Sequence, residues 1–264
     1  MSDPFVIAVC HQKGGVAKTT TVSSVGACLA EQNQRVLLVD LDPSANLTAG
    51  LGLNPAQISR SAADVLLGND TLAMVRQPSG FAGIDLVPSN AEMLTAFRFL
   101  HVRPQYEHLL ERSITQDGLP PYDFVLMDCP PSLGAVTISA AVAADLVLIP
   151  TQCEYYALQA LDRLFKAISQ TRARYNPRLR LRLLVTMFDQ RGHLHSQVLA
   201  ELKQRYAGTL METIIGFDGN LRKSQFAGEP VTHFAPASRA ASQYRSLAEE
   251  LRAYVQTQTV FQPA

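Results

Sequence analysis

Short apolar runs recur along the chain, and most are continuous rather than alternating. FVIAVC (Phe5–Cys10), RVLLVDL (Arg35–Leu41), Ile84–Pro88, YDFVLMD (Tyr122–Asp128), DLVLIP (Asp145–Pro150), Leu181–Met187 and Leu210–Ile215 all have strand length. A strand that is apolar on both sides must be covered on both faces. The runs therefore predict a mostly parallel sheet between two helix layers. Helical periodicity predicts helices over Thr19–Glu31 and near Ser61–Leu67, Ala91–His101, Gln105–Ile114, Tyr156–Tyr175, Leu194–Tyr206 and Arg239–Val255. Six or seven strands alternating with helices make a doubly wound α/β fold. No repeat, low-complexity tract or linker divides the chain, so residues 1–264 are expected to form one domain.

Composition adds mainly exclusions. Lys plus Arg and Asp plus Glu are balanced at 23 each, so any nucleic-acid contact must come from a local patch rather than from net charge. The longest apolar stretch, Ser139–Pro150, is interrupted by Asp145 and is too short to span a bilayer. The start, MSDPFVIAVC, has no basic leader and runs straight into a strand, which leads us to expect a cytoplasmic protein. Cys10, Cys28, Cys129 and Cys153 show no metal-binding spacing and are expected to be reduced, mostly buried thiols, which disfavours an iron–sulfur centre.

Chemistry enters with HQKGGVAKTTT, between the first strand and the first helix. A loop at a helix N-terminus offers unpaired N–H groups and the positive end of the helix dipole to an anion. Gly14 and Gly15 let the backbone wrap a phosphate, Lys18 neutralises it, and the Thr19 hydroxyl suits magnesium. The pattern GxxxxGK[ST] fails at two positions, where Gln12 and Ala17 replace glycines. Either Ala17 takes positive φ at a cost of about 1 kcal/mol, or the helix already begins there and alanine is at ease.

KGGVAKTT (Lys13–Thr20) resembles the deviant phosphate loop of the ParA/MinD group of P-loop ATPases, in which an extra lysine precedes the paired glycines. The resemblance implies that Lys13 reaches the nucleotide of a second subunit in an ATP-sandwich dimer, and that Gly14, Gly15, Val16, Ala17, Lys18, Thr19 and Thr20 hold ATP. RVLLVDLDPSAN (Arg35–Asn46) resembles the family's DxDPQxN motif, with Ser44 in place of glutamine. It implies that Asp42 positions or activates the hydrolytic water and that Asp40 stands on the metal side, nearer the Mg2+ and the phosphate loop. YDFVLMDCPPSLG (Tyr122–Gly134) resembles a Walker B strand, with Asp128 on the metal side together with Thr19. Lys13, Lys18 and Asp42 are thus the catalytic candidates. IPTQCEYYALQAL (Ile149–Leu161) also matches the family, although its Gln152 and Glu154 have no evident chemistry beyond a helix start. Met187, Phe188 and Asp189 fall where relatives place the adenine pocket, or they simply end a core strand.

MinD-like relatives grip membrane through a basic amphipathic tail. SLAEELRAYVQTQTVFQPA lacks that character, so no membrane binding is expected. ParA-like relatives grip DNA nonspecifically, which implies roles for Arg191, Arg222 and Lys223, with Arg239 and Arg245 as further candidates. Phe217 stands where small ParA proteins carry a second DNA-binding arginine. Residues 163–182 hold seven Lys/Arg and no acid, which either extends this patch or forms a solvated helix end and strand edge. The resemblance implies a nucleoid-associated homodimer that partitions chromosome or plasmid DNA with a ParB-like partner. The alternative is an ATPase that positions a protein cargo through an adaptor.

Overall fold

The computed structural model describes residues 3–116, 118–154 and 157–259. Eight strands form one sheet: β1 Phe5–Val9, β2 Val36–Asp40, β3 Gln77–Pro78, β4 Ile84–Val87, β5 Phe124–Asp128, β6 Leu146–Gln152, β7 Arg180–Phe188 and β8 Leu210–Gly216. Their order is β3-β4-β2-β5-β1-β6-β7-β8. Only the β3–β4 pair is antiparallel. The expected doubly wound, mostly parallel sheet with helices on both faces is therefore what the chain forms. β3 escaped the pattern because it has two residues, one of them a proline, and pairs only at the sheet's end.

Alternate residues of each strand serve different cores. Val6, Ala8, Leu37 and Val39 pack under helices including Ala62–Leu67, Leu109–Thr115, Ala135–Ala143 and Ala157–Arg174. Ile7, Val9, Val36 and Leu38 pack on the other face under Lys18–Glu31 and Arg239–Thr259. Gly26 lets the first of these lie close to β2, since a Cβ there would meet Leu38 Cδ2 at 2.8 Å.

The helix Ala135–Ala143 was not anticipated, because it is built of small, nearly all-apolar residues with no polar face to reveal a period. The apolar stretch Ser139–Pro150 is in fact its last turn, a break at Ala144–Asp145 and β6. The helix Gly219–Ala227 also went unread, having Gly at its start and a fully exposed Phe226. Two helices are shorter than expected: Met93–Phe99 passes into a 3-10 turn at Leu100–Val102, and Leu109–Thr115 begins after a left-handed Gln105. The helix expected from Tyr156 runs Ala157–Arg174, and its first expected residue lies outside the described residues.

Parallel strands bring their carboxyl ends to one edge. With β1 between β5 and β6, the loop after β1 lies between the ends of β5 (Asp128) and β6 (Gln152). With β2 beside β5, Asp40 and Asp128 stand in register.

Candidate functional site

The loop from His11 to Ala17 leaves β1 and delivers Lys18 as the first residue of its helix. Gly15 has φ +75°, and a Cβ on Gly14 or Gly15 would meet nothing within 4 Å, which leaves an open backbone cradle. Ala17 caps the helix at φ +69°, ψ +32°. The easier alternative, with Ala17 already helical, is thus overturned. The loop needs a left-handed residue there, and alanine accepts it at a cost of about 1 kcal/mol. Ala45 (φ +50°) and Met187 (φ +53°) carry the same strain. All three stand at the carboxyl edge of the sheet, where such strain is tolerated because the surroundings over-determine it.

The side chains expected to act converge here. Lys18 is buried, with Nζ 3.5 Å from the Lys13 carbonyl. Thr19 donates its hydroxyl to Asp128 Oδ2 at 2.6 Å. The other Asp128 oxygen is buried with no hydrogen-bond partner among the described residues. Thr20 accepts a hydrogen bond from Gln225 at 2.6 Å, which ties the loop helix to Gly219–Ala227. Val16 is buried, and its carbonyl accepts from Thr186 at 3.1 Å.

Asp40, expected on the metal side, is held by groups of its own chain. Its carboxylate accepts from the N–H of Asp42 (3.1 Å), the N–H of Thr48 (2.9 Å) and the Thr48 hydroxyl (2.7 Å). Its evident task is to fix the turn that presents Asp42. Asp42 in turn accepts from the Ser44 N–H at 2.8 Å, a contact that serine in place of glutamine leaves intact. Burial pushes the Asp40 carboxyl up to about 6. Burial, and then the charge of Asp40, hold Asp128 well above the usual carboxylate range. A divalent cation suits such a donor set, because it relieves the repulsion and occupies the unpartnered oxygen. Thr19 and Asp128 fit magnesium, with Asp40 behind them.

His11 is a site residue that the sequence did not single out. It is buried, and its Nδ1 accepts the Lys13 N–H at 2.8 Å, so the ring must stay neutral. Burial, reinforced by Lys18 and Lys13, lowers it to about 4. A folded pKa below the unfolded 6.5 gives stability that is present above pH 6.5 and lost as pH falls toward 4. His11→Asn keeps an acceptor but does not titrate. Between pH 7 and 4.5 the wild type should lose about 2–3 kcal/mol more stability than this variant, as measured by urea unfolding. Equal losses would show that His11 is not held neutral. Raised Asp40 works in the opposite direction but is common to both proteins, so it cancels in the comparison.

The β6 segment reaches back to the loop. Lys13 Nζ donates to Gln152 Oε1 at 3.2 Å and pairs with the Glu154 carboxylate. Gln152 Nε2 donates to the Gly15 carbonyl at 3.0 Å and contacts Met187 Sδ. Only the parallel pairing of β1 with β6, which brings their carboxyl ends together, reveals these contacts, and no residue spacing encodes it. Met187 thus leans on Gln152, while Phe188 lies against His195 at 5.8 Å between ring centroids. Asp189 is engaged by Arg191 through both carboxylate oxygens at 3.1 Å, which lowers it to about 2.

The basic candidates divide. Arg191 follows β7, and Arg222 and Lys223 lie on the helix after β8, so all three sit exposed at neighbouring carboxyl strand ends. Arg222 packs over the Phe217 ring at 5.6 Å. Arg239 instead donates to the Phe217 carbonyl, and Arg245 pairs with Glu31 at 2.8 Å. Arg178 precedes β7, and Arg180 and Arg182 cover Tyr254 at the strand's amino end. They stand at the opposite end of β7 from Arg191 and do not extend its patch. All four cysteines are free and buried.

A strand, a glycine cradle, a buried lysine at a helix N-terminus and carboxylates on the flanking strands define a phosphate-loop nucleotide fold. The family model described as AAA domain matches residues 5–181. The sporulation initiation inhibitor protein Soj of Bacillus subtilis is 36% identical over 94% of this chain and 98% of its own length. The chromosome-partitioning ATPase Soj of Thermus thermophilus is 39% identical over 95% and 96%. A structure named cobyrinic acid a,c-diamide synthase from Mycobacterium smegmatis, with bound ADP and magnesium, is 35% identical at TM-score 0.85 and covers 97% of this chain and 96% of that one. The chain belongs to the ParA/MinD family of P-loop ATPases, on its ParA/Soj side. Among the described residues, no helix is long and apolar enough to cross a membrane.

Proposed function

We propose that this chain is a Mg2+-dependent ATPase that dimerises on ATP, binds duplex DNA without sequence preference and drives DNA partitioning with a ParB-like partner protein. The observation that carries the nucleotide part is the Thr19–Asp128 bond beneath the open cradle, with one Asp128 oxygen left for a cation. Gly14, Gly15, Val16, Ala17, Thr19 and Thr20 surround the phosphates, and Lys18 neutralises them. Bound Mg2+, held on the side of Thr19 and Asp128, would supply charge neutralisation at the phosphates. Asp42 orients and deprotonates the attacking water. Lys13 crosses to the second subunit's nucleotide, while Met187 and Asp189 border the base. ATP then favours the closed dimer and hydrolysis releases it, which makes a timer out of a binding site.

The DNA part rests on the exposed cations at the ends of β7 and β8. Each lysine or arginine that neutralises a phosphate adds about 0.9 to the salt slope of binding. Each subunit of the dimer brings both cations, so converting Arg191 and Lys223 to alanine should flatten the dependence of log affinity on log salt by about 3.6, measured on ATP-loaded protein with random-sequence duplex. An unchanged slope would remove these residues from the interface. A wild type that dimerises yet shows no salt-sensitive DNA retention would overturn DNA binding altogether. On the DNA-binding reading, the protein works in the cytoplasm, on the nucleoid.

A further inference from the structure

The segment after β6 matched the family without any chemistry to explain it, and the structure supplies that chemistry. Lys13 is held by two groups of its own subunit, the Gln152 amide and the Glu154 carboxylate. The same Gln152 amide grips the cradle through the Gly15 carbonyl. The ammonium is therefore tied to the end of β6 rather than pointing into open solvent, although Lys13 and Glu154 are each about half exposed (48% and 51%). A lysine that serves a neighbour's nucleotide cannot simultaneously keep this pair.

We propose that Glu154 and Gln152 are positioning residues for Lys13: they park its ammonium on its own subunit and so set the threshold for closing on a second copy. This inference rests on the trans role of Lys13 proposed above. Glu154 supplies the charge that holds the lysine. Gln152 couples that hold to the shape of the phosphate cradle, so a change at Gly15 on filling the cradle is felt at Lys13.

The size of the effect follows from the exposure of the pair. A half-exposed ion pair shifts an equilibrium by roughly 1.5- to 5-fold, and closing a symmetric dimer breaks two of them. The net bias against closure is then on the order of ten-fold.

The test uses Glu154→Gln, which keeps size and polarity and removes the charge. First, acylation of the nucleotide-free monomer by an amine-reactive ester is followed by mass spectrometry at Lys13. Glu154→Gln should raise the Lys13 rate several-fold over wild type while leaving other lysines unchanged, a readout that a merely structural role would not move. Second, sedimentation with a nonhydrolysable ATP analogue and Mg2+ gives the dimer dissociation constant. Glu154→Gln should tighten it about ten-fold without altering nucleotide affinity, and Lys13→Ala should prevent dimerisation in either background. Equal acylation rates would show that Glu154 does not hold Lys13. Faster acylation with an unchanged or weaker dimer would show that the hold does not gate closure. Either result overturns the proposal. Failure of the wild type itself to dimerise would instead overturn the sandwich reading, and the acylation result would still report separately on the Lys13–Glu154 contact.

Discussion

Replacing Lys18 with alanine weakens ATP binding by about 100-fold or more, the loss associated with removing a buried cation from charge-assisted contacts with phosphate. The site leaves no substitute. Lys18 is buried at the first helical residue, and its neighbours on the strand ends, Asp40, Asp42 and Asp128, are all carboxylates. Lys13, the other cation of the loop, is held away at the end of β6. Without Lys18 the cradle's N–H groups would have to hold the triphosphate beside three carboxylates with the loop's remaining cation turned away. Titration calorimetry with Mg-ATP checks this, and a thermal scan gives a second reading. Saturating ligand at 100 times its dissociation constant stabilises the wild type by about 2.7 kcal/mol, and the variant should show almost none of this. Unfolding of the variant without ligand controls for damage to the fold. An affinity within a few-fold of wild type would remove Lys18 from the phosphate site and, with it, the assignment of the loop.

How much of this site could be read beforehand depended on whether its information is local. β5 is legible because FVLMD is apolar on both faces up to a carboxylate that can end the strand only in a polar site. The phosphate loop is legible because glycines, lysine and threonine stand next to one another in sequence. Ala17 was ambiguous because its left-handed conformation comes from the loop's closure and not from its own preference. The Asp40–Thr48 bonds, the neutral His11 and the Lys13–Glu154 pair were out of reach, since each joins groups that only strand order or loop closure brings together. The basic residues show the converse error. Arg180, Arg182 and Arg191 are close in sequence, yet a nine-residue strand carries the first two to the far end of the sheet.

Substituting Asp42 by alanine lowers ATP turnover by about 100- to 10,000-fold, the range for losing a positioned general base, while ATP still binds and the dimer accumulates. Binding is spared because the cradle belongs to the β1 loop, whereas Asp42 stands on the turn after β2, next to but outside that loop. The structure also shows a competing role: Asp42 accepts the Ser44 N–H at 2.8 Å, so alanine could act by loosening the turn. Asp42→Asn separates the two, since an amide oxygen keeps that acceptor and cannot take a proton from water. If the carboxylate acts on water, both variants are equally slow and both trap the dimer. If it only braces the turn, Asp42→Asn turns over at close to the wild-type rate. Single-turnover hydrolysis together with sedimentation in Mg-ATP distinguishes the outcomes, and retained turnover in Asp42→Ala would remove the residue from catalysis. The trap has a further use, because a dimer that cannot hydrolyse ATP should hold its partner protein and DNA long enough for both to be recovered.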